Sequence, residues 1–348
     1  MAFSFGFGGD DIDTSLDIDA LQIVQTPVAQ TPKQVGLAPE YQPKLQSLES
    51  LLKASVGVRM SYSTTNSSLP RRDLFDVKHQ LMLQDSLTPT EEILLGLTNE
   101  DLRVAQYEGG LKSWECTYDV VEFLSQNNIP AQTIVELGCG TGVPCLYMLQ
   151  QYFQQNSQAG LNLIMADYNE SVLRLVTAPN LLFAWLQTLD PETRLSILSS
   201  TSQTSNAIAE ARLGEAEITE ALITEFLQVL NQRSISIQFI SGGWSPEFVQ
   251  LLNSNLPAPV DLIIASETVY SLDTLPIFTD TLLGIFKKSP HARALVAAKQ
   301  VYFGVGGGVL EFIQTLKKHP NVAYEIVYTN SGNGLGVART IVEVRPSI

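Results

Sequence analysis

From Thr133 onward the chain alternates short apolar runs with stretches whose apolar residues recur at helical spacing. "TIVELG", "LNLIMAD", "SISIQFI", "VDLIIASE" and "ARALVAAKQVYF" read as strands. "PCLYMLQQYF", "NESVLRLVTAP", "LPIFTDTLLGIFKK" and "GGVLEFIQTLKKH" read as helices, and Pro144 suits a first helical turn. "NLLFAWL" reads as a short strand or a helix start. This order predicts an α/β fold: a doubly wound, mostly parallel sheet with helices on both faces. "VAYEIVYT" and "LGVARTIVEV" flank the turn "NSGNG" and read as a hairpin, so one of them must run antiparallel.

Upstream, "SWECTYDVVEFLSQN" has helical spacing, "DLFDVKHQLML" reads as a strand or ordered arm, and "TNEDLRVAQ" as a capped helix start. Residues 1–70, rich in Gln, Pro, Ser and Thr, read as a flexible leader carrying one short helix from Pro43 to Ser55. Residues 71–348 then form the main domain. A helical insertion at about 186–233 interrupts it, with Ile218, Leu222, Phe226 and Val229 as its apolar stripe.

Charge and cysteine content narrow the function. Acidic residues outnumber basic ones, 36 to 21, for a net charge of −15. Such a surface argues against a nucleic-acid or anionic-membrane binder and suits a basic partner. Cys116, Cys139 and Cys145 have neither disulfide-framework nor zinc-site spacing, and His79, His291 and His319 are scattered, so no metal is expected. No apolar run reaches the ~18 residues of a membrane span, and the first residues lack a basic signal-peptide region. These features point to a reduced intracellular compartment.

The candidate chemistry begins at "VELGCGTG", where a strand runs into Gly138, Gly140 and Gly142. A dinucleotide fingerprint would put its third glycine where Val143 stands. Glu136, just before the loop, would repel phosphates but could accept from an amine, directly or through water. The ligand this predicts is an adenosine-containing cation without a pyrophosphate, which describes S-adenosylmethionine. Asp167, at the tip of the next strand, could take both ribose hydroxyls. Gly243 and Trp244 in "SGGWSPEF" would let the chain pass close to an adenine, with the indole capping it. In "SETVY", Glu267 and Tyr270 are three apart, face one way on a turn, and are the catalytic candidates. Both would point at the cofactor's methyl group. "GGLKSWECTYD" admits two roles. It is either a packing helix with Trp114 in the core, or a bend at Gly109–Gly110 that makes Trp114 a cofactor wall and sets Glu115 or Thr117 at the methionine end.

"VELGCGTG", "ADYNESVL", "GGW" and "IIASETVY", in this order, resemble the motifs of class I, seven-stranded, Rossmann-like methyltransferases. The E-x-x-Y pattern resembles that of protein methyltransferases acting on lysine and histidine. "LFDVKHQLML", "YEGGLKSWECTYD", "DYNESVLRLVTAPN" and the opening "FSFGFGGDD" resemble histidine protein methyltransferases of the fungal and animal type. The likeness covers about residues 71–185 and 235–345 and the first nine. It implies that Ser113, Trp114, Glu115, Cys116, Thr117, Gly138, Asp167, Tyr168, Asn169, Trp244 and Ser266 contact the cofactor. It also implies methylation of one histidine, at the tele nitrogen, in a large-subunit ribosomal protein. A monomer of the cytoplasm and nucleus is expected. A lysine methyltransferase of the same fold, and a non-catalytic module or chaperone for a basic ribosomal protein, are the alternatives.

Overall fold

The computed structural model describes residues 37–65, 68–96, 109–155, 159–201, 214–331 and 337–347. The strands are β1 (Lys44–Ser47), β2 (Arg59–Thr64), β3 (Pro70–Arg72), β4 (Thr133–Leu137), β5 (Leu161–Asp167), β6 (Glu215–Glu217), β7 (Ile235–Ser241), β8 (Leu262–Ser266), β9 (Arg293–Lys299), β10 (Val322–Asn330) and β11 (Arg339–Pro346). Eight of them form one sheet in the order β1-β7-β5-β4-β8-β9-β11-β10. The pairs from β7 to β9 are parallel, and β11 enters antiparallel beside β9 and pairs with β10 as the expected hairpin. Seven strands were expected; β1 is the eighth, antiparallel on the outer edge of β7.

Period-two alternation drives the double winding. In β4 and β5, Ile134, Leu163 and Met165 enter one apolar cluster, while Val135, Leu137, Ile164 and Ala166 enter the other. Helices Glu115–Asn127, Val143–Gln154 and Ala178–Thr188 cover the first face. Helices Pro246–Asn255, Leu275–Phe286 and Val309–Leu316 cover the second. The order in which the chain adds strands reverses at β4, from β5 and β7 on one side to β8 and β9 on the other, so the carboxyl ends of β4, β5 and β8 open a crevice.

Several expectations are corrected. The leader ends earlier than residue 70: from Leu37 the chain is built into the fold, and residues 1–36 lie outside the described residues. The helix expected from Pro43 starts at Leu48. Ser47 Oγ accepts from the Ser50 N–H (3.0 Å) as its N-cap, leaving Lys44–Ser47 to pair with β7. "DLFDVKHQLM" is a helix, Leu74–Met82, because Val77 and Leu81 bury one face at a four-residue spacing. Of the two readings offered for "NLLFAWL", the helical one holds, within Ala178–Thr188. "TNEDLRVAQ" lies outside the described residues.

The insertion is only partly helical. It contains helix Pro191–Thr201, strand β6 and helix Glu220–Gln232, and residues 202–213 lie outside the described residues. It belongs to the core: Phe226 stacks on the buried Trp185 at 5.1 Å, and β6 completes a second sheet, β3-β2-β6. Among the described residues no helix is long and apolar enough to cross a membrane.

Candidate active site

β4 is buried throughout and ends in a loop whose glycines take left-handed φ values, +66° at Gly138 and +49° at Gly140. A Cβ on Gly138 would lie 2.7 Å from Thr268 Cγ2, and one on Gly140 would lie 3.0 Å from the Gly110 carbonyl. The backbone must be bare there. Neighbouring side chains hold the loop: Thr177 Oγ1 donates to the Gly140 carbonyl (2.6 Å), and Asn180 Nδ2 to the Thr141 carbonyl (2.9 Å). Thr177 ends a π-helical turn, Leu173–Thr177, which aims it inward. Gly138, Cys139, Gly140 and Thr141 form one side of a cavity of about 330 Å³.

Asp167 closes the end of β5. Its Oδ2 accepts from the Gly140 N–H (2.9 Å) and its Oδ1 from the Asn169 N–H (3.1 Å), which fixes the carboxylate at the cavity wall. Beyond β7, Gly243 and Trp244 also line the cavity, and Trp244 meets Phe278 edge-on at 5.2 Å. The segment before β1 crosses over this end. Tyr41 stacks on the cavity residue Tyr168 at 4.6 Å, the Tyr41 carbonyl accepts from the Gly243 N–H (2.9 Å), and Leu37 lines the cavity. Sequence reasoning missed this strap. Its signal is Gly242 (φ +114°), where a Cβ would lie 2.7 Å from the Gln42 carbonyl.

The segment before helix Glu115–Asn127 supplies a further wall. Trp114 is half-buried, lines the cavity, and donates from Nε1 to the Gly109 carbonyl (3.1 Å). Thr117 Oγ1 shares a 3.0 Å hydrogen bond with Ser266 Oγ at the end of β8, and both residues line the cavity.

The expected site residues therefore divide. Trp114, Thr117, Gly138, Gly140, Asp167, Tyr168, Gly243, Trp244, Ser266, Glu267 and Tyr270 line the cavity. Ser113, Glu115, Cys116, Glu136, Gly142 and Asn169 are not among the lining residues, and each has another place. Ser113 Oγ bonds Thr141 Oγ1 at 2.7 Å and ties its segment to the glycine loop. Glu115 pairs with Lys299 at 3.0 Å. Cys116 is buried, which pushes its thiol pKa up. Gly142 is the N-cap of helix Val143–Gln154. Asn169 is buried at the start of the next helix.

Glu136 is the clearest correction. The pleat puts it on the same face as Ile134, under helix Val143–Gln154. Its Oε2 accepts from the Cys145 N–H at 3.3 Å, its Oε1 has no partner, and burial pushes its pKa to about 8.

The fourth side carries Glu267. It sits at φ +58°, a left-handed conformation rare for a residue with a side chain, and its N–H donates to the Ala297 carbonyl (2.8 Å). This turns a carboxylate that is only 7% exposed into the cavity. Oε1 accepts from the Cys116 N–H (3.3 Å) and lies 3.9 Å from Lys299 Nζ. Oε2 accepts a short hydrogen bond from the Tyr302 hydroxyl. Burial and the Glu267 charge both push the Tyr302 pKa up, so the phenol stays protonated and donating. Burial alone would lower Lys299, but its carboxylate partners Glu115 and Glu267 outweigh that and hold it above its usual value.

Glu267 to Tyr270 forms no first turn of a helix, since the helix begins at Leu275. The phenol that donates to Glu267 comes instead from the loop after β9, and Tyr270 meets its ring edge-on at 6.2 Å. Tyr302 and Lys299 had no local sequence signal.

No protein-family profile matches this chain. The histidine protein methyltransferase 1 of Saccharomyces cerevisiae is 36% identical over 343 residues, covering 90% of this chain and 89% of its own. That of Schizosaccharomyces pombe is 33% identical over 309 residues, covering 85% and 83%. Among solved structures, magnesium protoporphyrin IX methyltransferase (ChlM) from Synechocystis PCC 6803 with bound SAH covers 78% of this chain and 94% of its own, at 12% identity and a TM-score of 0.34. That overlap is loose, and the fold rests on the strand order given above.

Proposed function

The chain belongs to the histidine protein methyltransferases, and on that premise we propose that it methylates the tele nitrogen of one histidine in a large-subunit ribosomal protein. It is an S-adenosylmethionine-dependent enzyme that methylates histidine in protein. The observation that carries the reading is likeness to named histidine protein methyltransferases over nearly the whole chain, with a buried carboxylate, Glu267, facing the cavity.

The cavity fits the cofactor. Three carboxylates (Asp167, Glu267 and Asp273) line it against one ammonium, Lys112, which favours a cationic occupant. Gly138 and Gly140 would hold the cofactor close to bare backbone, Asp167 would accept from the ribose, and Trp244 and Tyr168 would flank the base. Trp114 and Ser266 would complete the wall. When bound, S-adenosylmethionine supplies a methyl group on a positively charged sulfur.

The chain supplies alignment and charge. A neutral imidazole, with a pKa of about 6.5, is mostly uncharged at pH 7 and already nucleophilic. One ring nitrogen must present its lone pair, and the other must keep the proton. Glu267 would accept from that second N–H, fix the tautomer and stabilise the charge that grows on the ring. A carboxylate has about four lone-pair sites, so the Tyr302 hydroxyl and the Cys116 N–H leave room for it. Those two donors, with Lys299 nearby, hold the carboxylate in place.

The net charge of −15 favours a basic protein substrate. The proposed enzyme works as a monomer in the cytoplasm and nucleus, where such a substrate is made and assembled. The test incubates the purified enzyme and labelled donor with protein from large ribosomal subunits of cells lacking the enzyme. Mass spectrometry is expected to place one tele-methylhistidine in a single protein. Methyllysine would move the chain to lysine chemistry, and label on no protein would leave a binding module.

A further inference from the structure

The turn after β8 lines the mouth of the cavity, the loop after β9 is tied against that turn, and both expose large apolar side chains. The turn after β8 carries Leu272, 53% exposed, and leads into Ile277, 43% exposed, which lines the cavity. The loop after β9 carries Val301, Phe303 and Val305, with Phe303 82% exposed. The loops are tied together. The Gly307 N–H donates to the Tyr270 carbonyl (2.9 Å), Ser271 and Gly306 form an antiparallel bridge, and a Cβ on Gly306 would lie 3.4 Å from Leu272 Cδ1. A held lip of this kind can present its apolar side chains without first having to order.

Leaving a phenylalanine in water forgoes the gain of burying it, and apolar groups clustered beside a reaction cavity mark a contact surface. The cavity volume, about 330 Å³, is too small to take a polypeptide beside the cofactor. The backbone on either side of a target histidine must therefore rest on the lip. Asp273, next to Leu272, is exposed at the same mouth and makes no ion pair among the described residues.

We propose that this lip, Leu272, Val301, Phe303 and Val305 with Asp273 beside them, docks the substrate segment flanking the target histidine. That segment brings an apolar side chain to Phe303 and Leu272 and a lysine or arginine to Asp273. This rests on the histidine-methylating reading of the cavity. The apolar contact sets affinity, and the Asp273 contact adds a salt-dependent part.

The test uses Phe303→Ser, Leu272→Ser and Asp273→Asn in the full chain, with protein from large ribosomal subunits as substrate. Three quantities are read: methylhistidine formation against substrate concentration, calorimetric affinity for S-adenosylhomocysteine, and a thermal melt. Phe303→Ser and Leu272→Ser are expected to raise the KM for protein about tenfold each, with cofactor affinity and melting temperature held. Asp273→Asn is expected to raise it about threefold at low salt and little at high salt. Methylhistidine formed at an unchanged KM by both apolar variants overturns the docking lip alone. No methylhistidine from the unsubstituted enzyme overturns the reading beneath it as well.

Discussion

The two sides of the cavity are built in opposite ways. The glycine-loop side is made from one continuous run, residues 135–142, and presents backbone that has no room for side chains. The Glu267 side is made from groups that start far apart in sequence: the Cys116 N–H before β4, and the side chains of Glu267 after β8 and of Lys299 and Tyr302 at and beyond the end of β9. The first side can hold a ligand but offers little chemistry. The second can hold and share a proton but needs the whole sheet to assemble it. Binding and transfer should therefore respond to different substitutions.

The largest effect is expected on the side-chain half. Glu267→Gln keeps the shape but loses the charge that fixes the imidazole tautomer. Turnover with protein substrate should fall by ~10²-fold or more, in the range of positioned acid–base groups. Affinity for S-adenosylhomocysteine, measured by calorimetry, should change little. An equal loss in both would erase the division between the two halves.

Next comes the backbone half. Gly138→Ala puts a Cβ 2.7 Å from Thr268 Cγ2 at a φ of +66°. A left-handed alanine costs about 1–2 kcal/mol, so cofactor affinity should fall roughly 10-fold as the loop shifts to relieve the clash. Gly160→Ala is the control. It has a φ of +78°, its Cβ would approach only to 3.4 Å of the Ser234 carbonyl, and it lies away from the cavity. It should cost stability without touching affinity.

Tyr302→Phe probes how the carboxylate is aimed. Removing the hydroxyl frees Glu267 Oε2 while Oε1 stays on the Cys116 N–H. Turnover is expected to fall about tenfold, less than for Glu267→Gln, because the charge remains. Affinity for S-adenosylhomocysteine should hold while kcat falls, a split that a merely structural loss would not give.

The same contrast explains what the sequence disclosed. The glycine loop, Asp167 and the Gly243–Trp244 turn were legible because each is a local pattern at a strand end, and alternation placed those strands in one sheet. Glu267 was legible as a polar residue ending a buried strand. Tyr302 was not, because only the pairing of β8 with β9 and the left-handed turn at Glu267 bring phenol and carboxylate together. The strap at Leu37–Gln42 was hidden by composition, since a polar Pro- and Gln-rich stretch reads as loose chain. Glu136 was legible as a residue but not as a direction, because the pleat decides which face a strand carboxylate takes.

Glu136 gives the smallest and most discriminating expectation. Its buried carboxyl has a folded pKa pushed from an ordinary 4.5 to about 8 by burial, and Asp167 adds repulsion. The unfolded chain releases that proton near the ordinary value, while the folded chain keeps it until the higher one. Folding therefore takes up a proton in between, and stability falls as pH rises from about 4.5 to about 8, then levels off. Glu136→Gln removes this penalty and leaves the other titrations to cancel between variant and wild type. The two melting temperatures should be close near pH 5, with the variant a few degrees above wild type near pH 8, as a change of a few kcal/mol implies for a chain of this size. Turnover should change less than about threefold, since the carboxyl lies beneath the loop and not on the cavity. A gap that does not widen with pH would mean Glu136 is already ionised in the folded protein. It would then have a stabilising partner and would join Glu267 among the side chains that carry charge for the reaction.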